Sequence, residues 1–149
     1  MIEDKKIIII GITKIKSCIN GAKTVKELQG LQQVITKLST GLGTSSKDLL
    51  AVTRILSQAG IKAGELETAL QSLAKTTLAP TFEDIEQTAE GAVAIISQFG
   101  QGVGALEKQL GAINAVAGQF AVESGDLIGA VRRFGGVFKS AGGELEELL

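Results

Sequence analysis

Apolar residues recur along this chain at helical spacing. Leu28, Leu31, Ile35, Leu38 and Leu42 follow one another in steps of three and four, which places them on one face of a helix. Five further stripes show similar spacing: Leu49, Val52, Leu56, Ala59; Leu66, Leu70, Leu73; Ile85, Ala89, Ala92, Ile96, Phe99; Val103, Leu106, Leu110, Ile113, Ala117, Phe120; and Leu127, Val131, Phe134, Phe138. The pattern predicts an all-α protein of five to six amphipathic helices joined by short Gly-rich turns, as a helical bundle or an extended helical hairpin.

Capping and breaking residues divide these stripes into helices. Ser45 is expected to cap the second helix and Gly60 to end it. Pro80, the single proline, breaks the chain, and Thr81 is expected to cap the fourth helix. Ser124 is expected to cap the sixth helix. A Gly pair at 142–143 then ends that helix, and residues 144–149 resemble the start of another.

Two short sequence motifs recur in the second half of the chain. SKDL at 46–49 resembles SGDL at 124–127, and GELE at 64–67 recurs at 143–146. Shared capping chemistry and internal duplication explain this echo equally well.

The first part of the chain has a different character. Its first dozen residues are rich in Ile and fit either a short strand or a helix start. We therefore divide the chain into residues 1–41, an N-terminal segment of unclear type ending in an amphipathic helix, and residues 42–149, a helical region. The apolar run at 7–12 is too short for a signal peptide, and the single cysteine, Cys18, fits a reducing compartment, so we expect the chain to be made in a cytoplasm.

Composition argues against an enzyme and against bound cofactors. The chain has no histidine, which excludes His-based acid/base catalysis, His metal sites and Ser-His-Asp triads. Gly100, Gly102 and Gly104 follow an amphipathic helix and lack a P-loop lysine, so they predict a flexible link between helices. The net charge of −1 does not favour nucleic acid binding. We expect no catalytic, cofactor or metal residues and no small-molecule substrate.

The helical stripes are instead candidate contact surfaces between helices or between copies. Their unpaired apolar faces would favour self-association. The interface candidates are Leu28, Leu31, Ile35, Leu38, Ile85, Ile96, Phe99, Leu106, Leu110, Ile113, Phe120, Leu127, Phe134 and Phe138.

The segment 91–138 allows a different interpretation. It is rich in Gly, Ala, Val and Ile, with small-residue spacings such as Gly100/Gly104 and Gly125/Gly129 that let helices pack closely in a membrane. Polar residues interrupt it repeatedly, which favours amphipathic helices in water. A membrane-active protein of holin-like or pore-forming type is therefore the alternative function, with membrane contact through this segment.

Three sequence motifs resemble those of a known family. LAPTF at 78–82, GAINAV at 111–116 and ESGDLI at 123–128, with the text around them, are similar to the core region of phage tail tape measure proteins over about 42–149. The resemblance implies a largely helical chain inside the tail tube of a virion, made in a bacterial host. There it sets tail length in a few bundled copies, contacts other tail proteins and leaves on infection, which links it to genome delivery.

We therefore expect a non-enzymatic structural or assembly module of a phage or prophage tail, of tape-measure type. Even one unbroken helix of 149 residues would reach only about 220 Å, so this chain alone could set only a short tail length. A third class remains, a compact helical adaptor whose stripes are all satisfied inside one monomer.

Overall fold

A computed structural model describes residues 13, 15, 16 and 24–149, and the described part is all-α. The strand-or-helix question for the first dozen residues, and Cys18, lie outside it. Thr13, Ile15 and Lys16 are helical, and Ile15 is buried. The helices are α1 (Val25–Leu42), α2 (Ser46–Gln58), α3 (Ala63–Thr76), α4 (Ile85–Phe99), a 3-10 turn (Val103–Ala105), α5 (Leu106–Phe120), α6 (Ser124–Ser140) and α7 (Leu145–Leu148).

These elements form three successive helical hairpins, α1–α2, α3–α4 and α5–α6. The second helices of the hairpins begin at positions 46, 85 and 124, which are evenly spaced along the chain. The first helices follow nearly the same spacing, and α7 begins one further interval after α5. A supersecondary unit repeated at a period of about 39 residues is the organisation of helical repeat proteins. The echo seen in the sequence spans two such periods.

The hairpins stack so that equivalent helices run in the same direction. The start of α1 at Leu31 lies beside Gly64 of α3, and its end at Leu42 lies beside Lys75. Likewise, α6 follows α4 in parallel, since Gly125 lies at Gln87 and Gly135 lies at Gln98. The first helices therefore form one row and the second helices another.

Two hydrophobic clusters fill the space between the rows. The larger cluster joins α1, α2, α3, the first half of α4 and the start of α5. The smaller one joins the end of α4 to Ile113, Ile128, Val131 and Leu145. Phe82, in the loop between α3 and α4, packs against both clusters. The chain thus has a continuous core running along the stack.

Small residues set the close contact between α4 and α6, the pair of helices that packs most extensively. A Cβ atom at Gly91 would overlap the side chain of Ile128, and one at Gly135 would overlap Gln98 and Phe99. The two backbones approach closely because these positions carry no side chain. Of the small-residue spacings proposed from the sequence, Gly125 lies in such a contact, whereas Gly100, Gly104 and Gly129 face open space.

Several predicted helix ends are confirmed. The Ser45 hydroxyl accepts a hydrogen bond from the Lys47 backbone N–H at 3.2 Å. Gly60, with φ of +86°, follows the end of α2 as a left-handed residue, and Gly142 does the same after α6. A capping box between Thr24 and Glu27 starts α1 and was not predicted from the sequence.

Two predicted caps are wrong. The N-cap of α4 is Asp84, whose carboxylate accepts from the Glu86 and Gln87 N–H groups, and not Thr81. The residue preceding α6 is Glu123, and Ser124 is the first residue inside that helix. Both Thr81 and Ser124 are instead engaged with each other across the fold, as described below.

The buried face of α6 also differs from its predicted stripe. The structure buries Ser124, Ile128, Val131 and Gly135, while Phe134 is 59% exposed and Leu127 and Phe138 are half-buried. The small residues face α4 because that helix approaches closely.

Candidate assembly surfaces

A polar junction brings together the three sequence motifs that resemble tape measure proteins. The Thr81 hydroxyl donates to Asn114 Oδ1 at 2.5 Å, and the Ser124 hydroxyl donates to Thr81 Oγ1 at 2.8 Å. The Ser124 N–H also donates to the Thr81 carbonyl at 3.0 Å. Ser124 is fully buried. This junction, Thr81–Asn114–Ser124, fixes the α3–α4 loop against α5 and the start of α6.

Two large exposed apolar side chains lie close together on one face of α6. Phe134 is 59% exposed and Val137 is 76% exposed, one helical turn apart, and the half-buried Ala130 continues the same face. We call Ala130, Phe134 and Val137 the outer face of α6. A contiguous apolar face of this kind is typical of a surface that contacts another protein segment.

A second exposed apolar group lies near the polar junction. Leu78, Phe120 and Val122 are exposed, and each lies within four residues of the Thr81–Ser124 hydrogen bond along the chain. Only Phe120 was among the interface candidates. Leu78 and Val122 lie in connections between helices, so the helical spacing gave no signal for them.

The interface candidates of the sequence fall into three groups in the structure. Eight lie in the protein's own core, four are half-buried, and two are exposed. The core group is Leu28, Leu31, Ile35, Leu38, Phe99, Leu106, Leu110 and Ile113; the half-buried group is Ile85, Ile96, Leu127 and Phe138; the exposed group is Phe120 and Phe134. Only the last group presents most of its surface to other molecules.

One cleft in the described part of the chain has a strongly acidic lining. A cleft of about 390 Å³ where α2 and α4 begin is lined by Asp48, Glu83, Asp84 and Glu86. Asp84 caps α4, so its negative charge lies at the positive, N-terminal end of the helix dipole. Within the described residues, no group of three or more His, Cys, Asp or Glu side chains is arranged to hold a metal ion.

The glycine segment after α4 behaves as a connection. Gly100 has φ of +65° and ends α4, and Gly102 precedes the 3-10 turn that leads into α5. This confirms the link between two helices that the sequence predicted. Across the part of the chain that the structure describes, no helix is both long and apolar enough to cross a membrane.

The stacked hairpins and the core between their two rows define an all-α protein of stacked helical hairpins. The family comparison then narrows the class. A model of the phage-related minor tail protein family matches residues 32–149, most of the chain, and the chain belongs to that family. This supports a structural role in a phage tail. No curated protein and no solved structure matches the chain.

Proposed function

We propose that this protein is a non-enzymatic structural module of tape-measure type, acting inside the tail tube of a phage or prophage. The observation that carries the proposal is the family match over 32–149, which contains all three motifs that resemble tape measure proteins. Residues of those motifs are hydrogen-bonded at the Thr81–Asn114–Ser124 junction, which joins the α3–α4 loop, α5 and the start of α6. They therefore belong to the fold that such proteins would share.

The proposal includes the division of the chain and its partners. Residues 42–149 form the tape-measure module, and residues 1–41 are an N-terminal segment whose helix α1 covers one end of it. The module associates with itself and with other tail proteins, is made in the cytoplasm of the bacterial host and takes part in genome delivery. The exposed Phe120 is the interface candidate that suits such contacts without unfolding the core.

Removing one repeat from the encoding phage tests this role. Deletion of residues 46–84 takes out one full period and leaves Ser45 to cap α4. If the chain is extended as a helix in the tube, tails should shorten by at most about 58 Å, at about 1.5 Å per residue, because Pro80 interrupts a continuous helix. If it remains folded there, they should shorten by about 10 Å, the spacing of packed helices.

Tail lengths are measured by electron microscopy of purified particles, and the protein is sought in them by mass spectrometry. The variant Ser46→Ala, which alters an exposed side chain and not the length, is the matched control. Tails of normal length that contain no trace of the protein would contradict the proposal.

A second candidate, a self-contained helical adaptor, is favoured by the burial of eight stripe residues within one chain. Light scattering and small-angle X-ray scattering of the purified chain distinguish the two. An elongated oligomer of a few 15.4 kDa chains favours the tail module, and a compact monomer favours the adaptor. Leu110 is an interface candidate from the sequence, but it is buried inside the monomer. Leu110→Asp is therefore expected to unfold the monomer and cannot test association.

A further inference from the structure

The face of α4 that contacts α6 is defined by three positions. Gly91 lies against Ile128, and the Gln98 amide donates to the Arg132 carbonyl at 3.3 Å. Between them, Ile95 is fully buried in the cluster that contains Ile128. Positions 91, 95 and 98 therefore form the side of α4 that receives the next hairpin.

Two of the three equivalent positions of α2 are also covered, while the third, Ala59, is exposed at the C-terminal cap of that helix. Moving back by one repeat leads to Val52 and Leu56, which are fully buried in the cluster that contains Ala89 and Ala92 of α4. The opposite side of α4, with Ala89, Val93 and Ile96, belongs to that same cluster. Each second helix thus receives the following one on the same face.

Moving forward by one repeat leads to the outer face of α6. Positions 91, 95 and 98 of α4 become Ala130, Phe134 and Val137. These side chains remain apolar although Phe134 and Val137 are mostly exposed. Within the described residues, no element packs there as α4 packs on α2 and α6 packs on α4.

The short helix α7 indicates what belongs on this face. The first buried leucine of each first helix is Leu28, Leu66 and Leu106, and Leu145 of α7 continues this nearly even spacing. Like α1, α7 begins with a capping box, here Glu144 and Glu147. In its position along the repeat and in the burial of its first leucine, α7 matches the start of α1, α3 and α5.

We propose that the outer face of α6 is the docking surface for a fourth hairpin of the same repeat, continuing in the same polypeptide direction from α7. Its second helix would lie on Ala130, Phe134 and Val137 through small and β-branched residues like those that α4 places on α2. The surface needs an amphipathic helix parallel to α6. This inference rests on the repeat geometry and is independent of a role in tails.

A tryptophan at position 134 reports on the proposal, because the chain has no native Trp or Tyr. Phe134→Trp is prepared in the natural chain and in an extended chain that carries a copy of residues 71–99 after Leu149. Leu149 is equivalent to Leu110 and Leu70, so the copy continues α7 as a full hairpin in register. In the extended protein, we expect a blue-shifted tryptophan emission, several-fold weaker quenching by acrylamide, and a higher thermal midpoint.

The matched control is the same extended chain with Ala89→Asp and Ile96→Asp in the appended copy alone. These charges face α6 in the docked state, so the introduced tryptophan should remain as exposed and as strongly quenched as in the natural chain. Equal emission and quenching in all three proteins would overturn the proposal. So would an appended segment that gains no helical circular dichroism, because docking should order it.

The natural-length Phe134→Trp chain also tests a competing occupant. If its tryptophan emission shifts to the blue with rising concentration while light scattering shows twice the monomer mass, the surface binds a second copy, and the fourth hairpin is the wrong partner. A constant emission agrees with our proposal, including where light scattering shows association through another surface.

Discussion

The first and third hairpins are built on the same backbone plan but differ in what covers them. Their first-helix regions occupy 25–42 and 103–120, and each ends on a left-handed residue, Gly43 in one and Ala121 in the other. At the same distance beyond these residues, each second helix begins on a serine, Ser46 or Ser124. The helix positions thus coincide when one hairpin is shifted onto the other by two repeats.

The difference between the two hairpins lies in their neighbours. Leu56 in α2 is fully buried beneath the following hairpin, whereas its equivalent Phe134 is largely exposed. Ser124 is buried in the polar junction, whereas its equivalent Ser46 is exposed. Local sequence therefore places the helices, and stacking decides how much each position contributes to stability.

The largest contrast should come from one charge placed at the two equivalent apolar positions. Leu56→Asp buries an unpaired carboxylate and should cost about 4 kcal/mol or more, enough to unfold much of the protein. Phe134→Asp leaves the carboxylate in water and should cost less than about 1 kcal/mol. Urea unfolding followed by circular dichroism measures both; similar losses would show that the outer face of α6 is already covered in solution.

A smaller contrast is expected at the equivalent serines. Ser124→Ala removes the donor to Thr81 inside a buried network and should cost about 1–2 kcal/mol. Ser46→Ala removes an exposed bond to Ser39 and should change stability by less than about 0.5 kcal/mol. Thermal unfolding of the two variants side by side tests this, and an equal effect would mean that the polar junction is not a stabilising contact.

The smallest contrast concerns the residue that ends the first helix of each hairpin. Ala121 has φ of +52°, the only non-glycine with positive φ in the described chain, where the first hairpin has Gly43. Ala121→Gly should therefore stabilise the protein by about 1 kcal/mol, and Gly43→Ala should destabilise it by a similar amount. Denaturation midpoints of the two single variants and of the double variant measure this, and the double variant should lie near the natural protein.

Sequence periodicity was sufficient for the helices, because each amphipathic stripe depends on residues only three or four positions away. It failed at Thr81 and Ser124, which look like helix caps but bond to residues 33 and 43 positions away. A capping preference is a local property, and it yields where a tertiary hydrogen bond is available to the same hydroxyl.

The contact faces could be predicted only in part. On α6 the large apolar residues suggested one face, but the structure buries a neighbouring face with Ser124 and Gly135, because α4 approaches too closely for larger side chains. The repeat period was missed for a related reason. The central hairpin has Thr88 and Gly91 where the first has Leu49 and Val52, so only the outer hairpins resemble each other in sequence.

The stacking of the hairpins also determines how much contour length the fold stores. Each hairpin advances the stack by about 10 Å, the distance between packed helices, whereas the same segment as a single helix would span about 58 Å. Pulling one hairpin out of the stack into a straight helix would therefore lengthen the protein almost sixfold over that segment. A pulling force would extend such a stack in steps, one hairpin at a time.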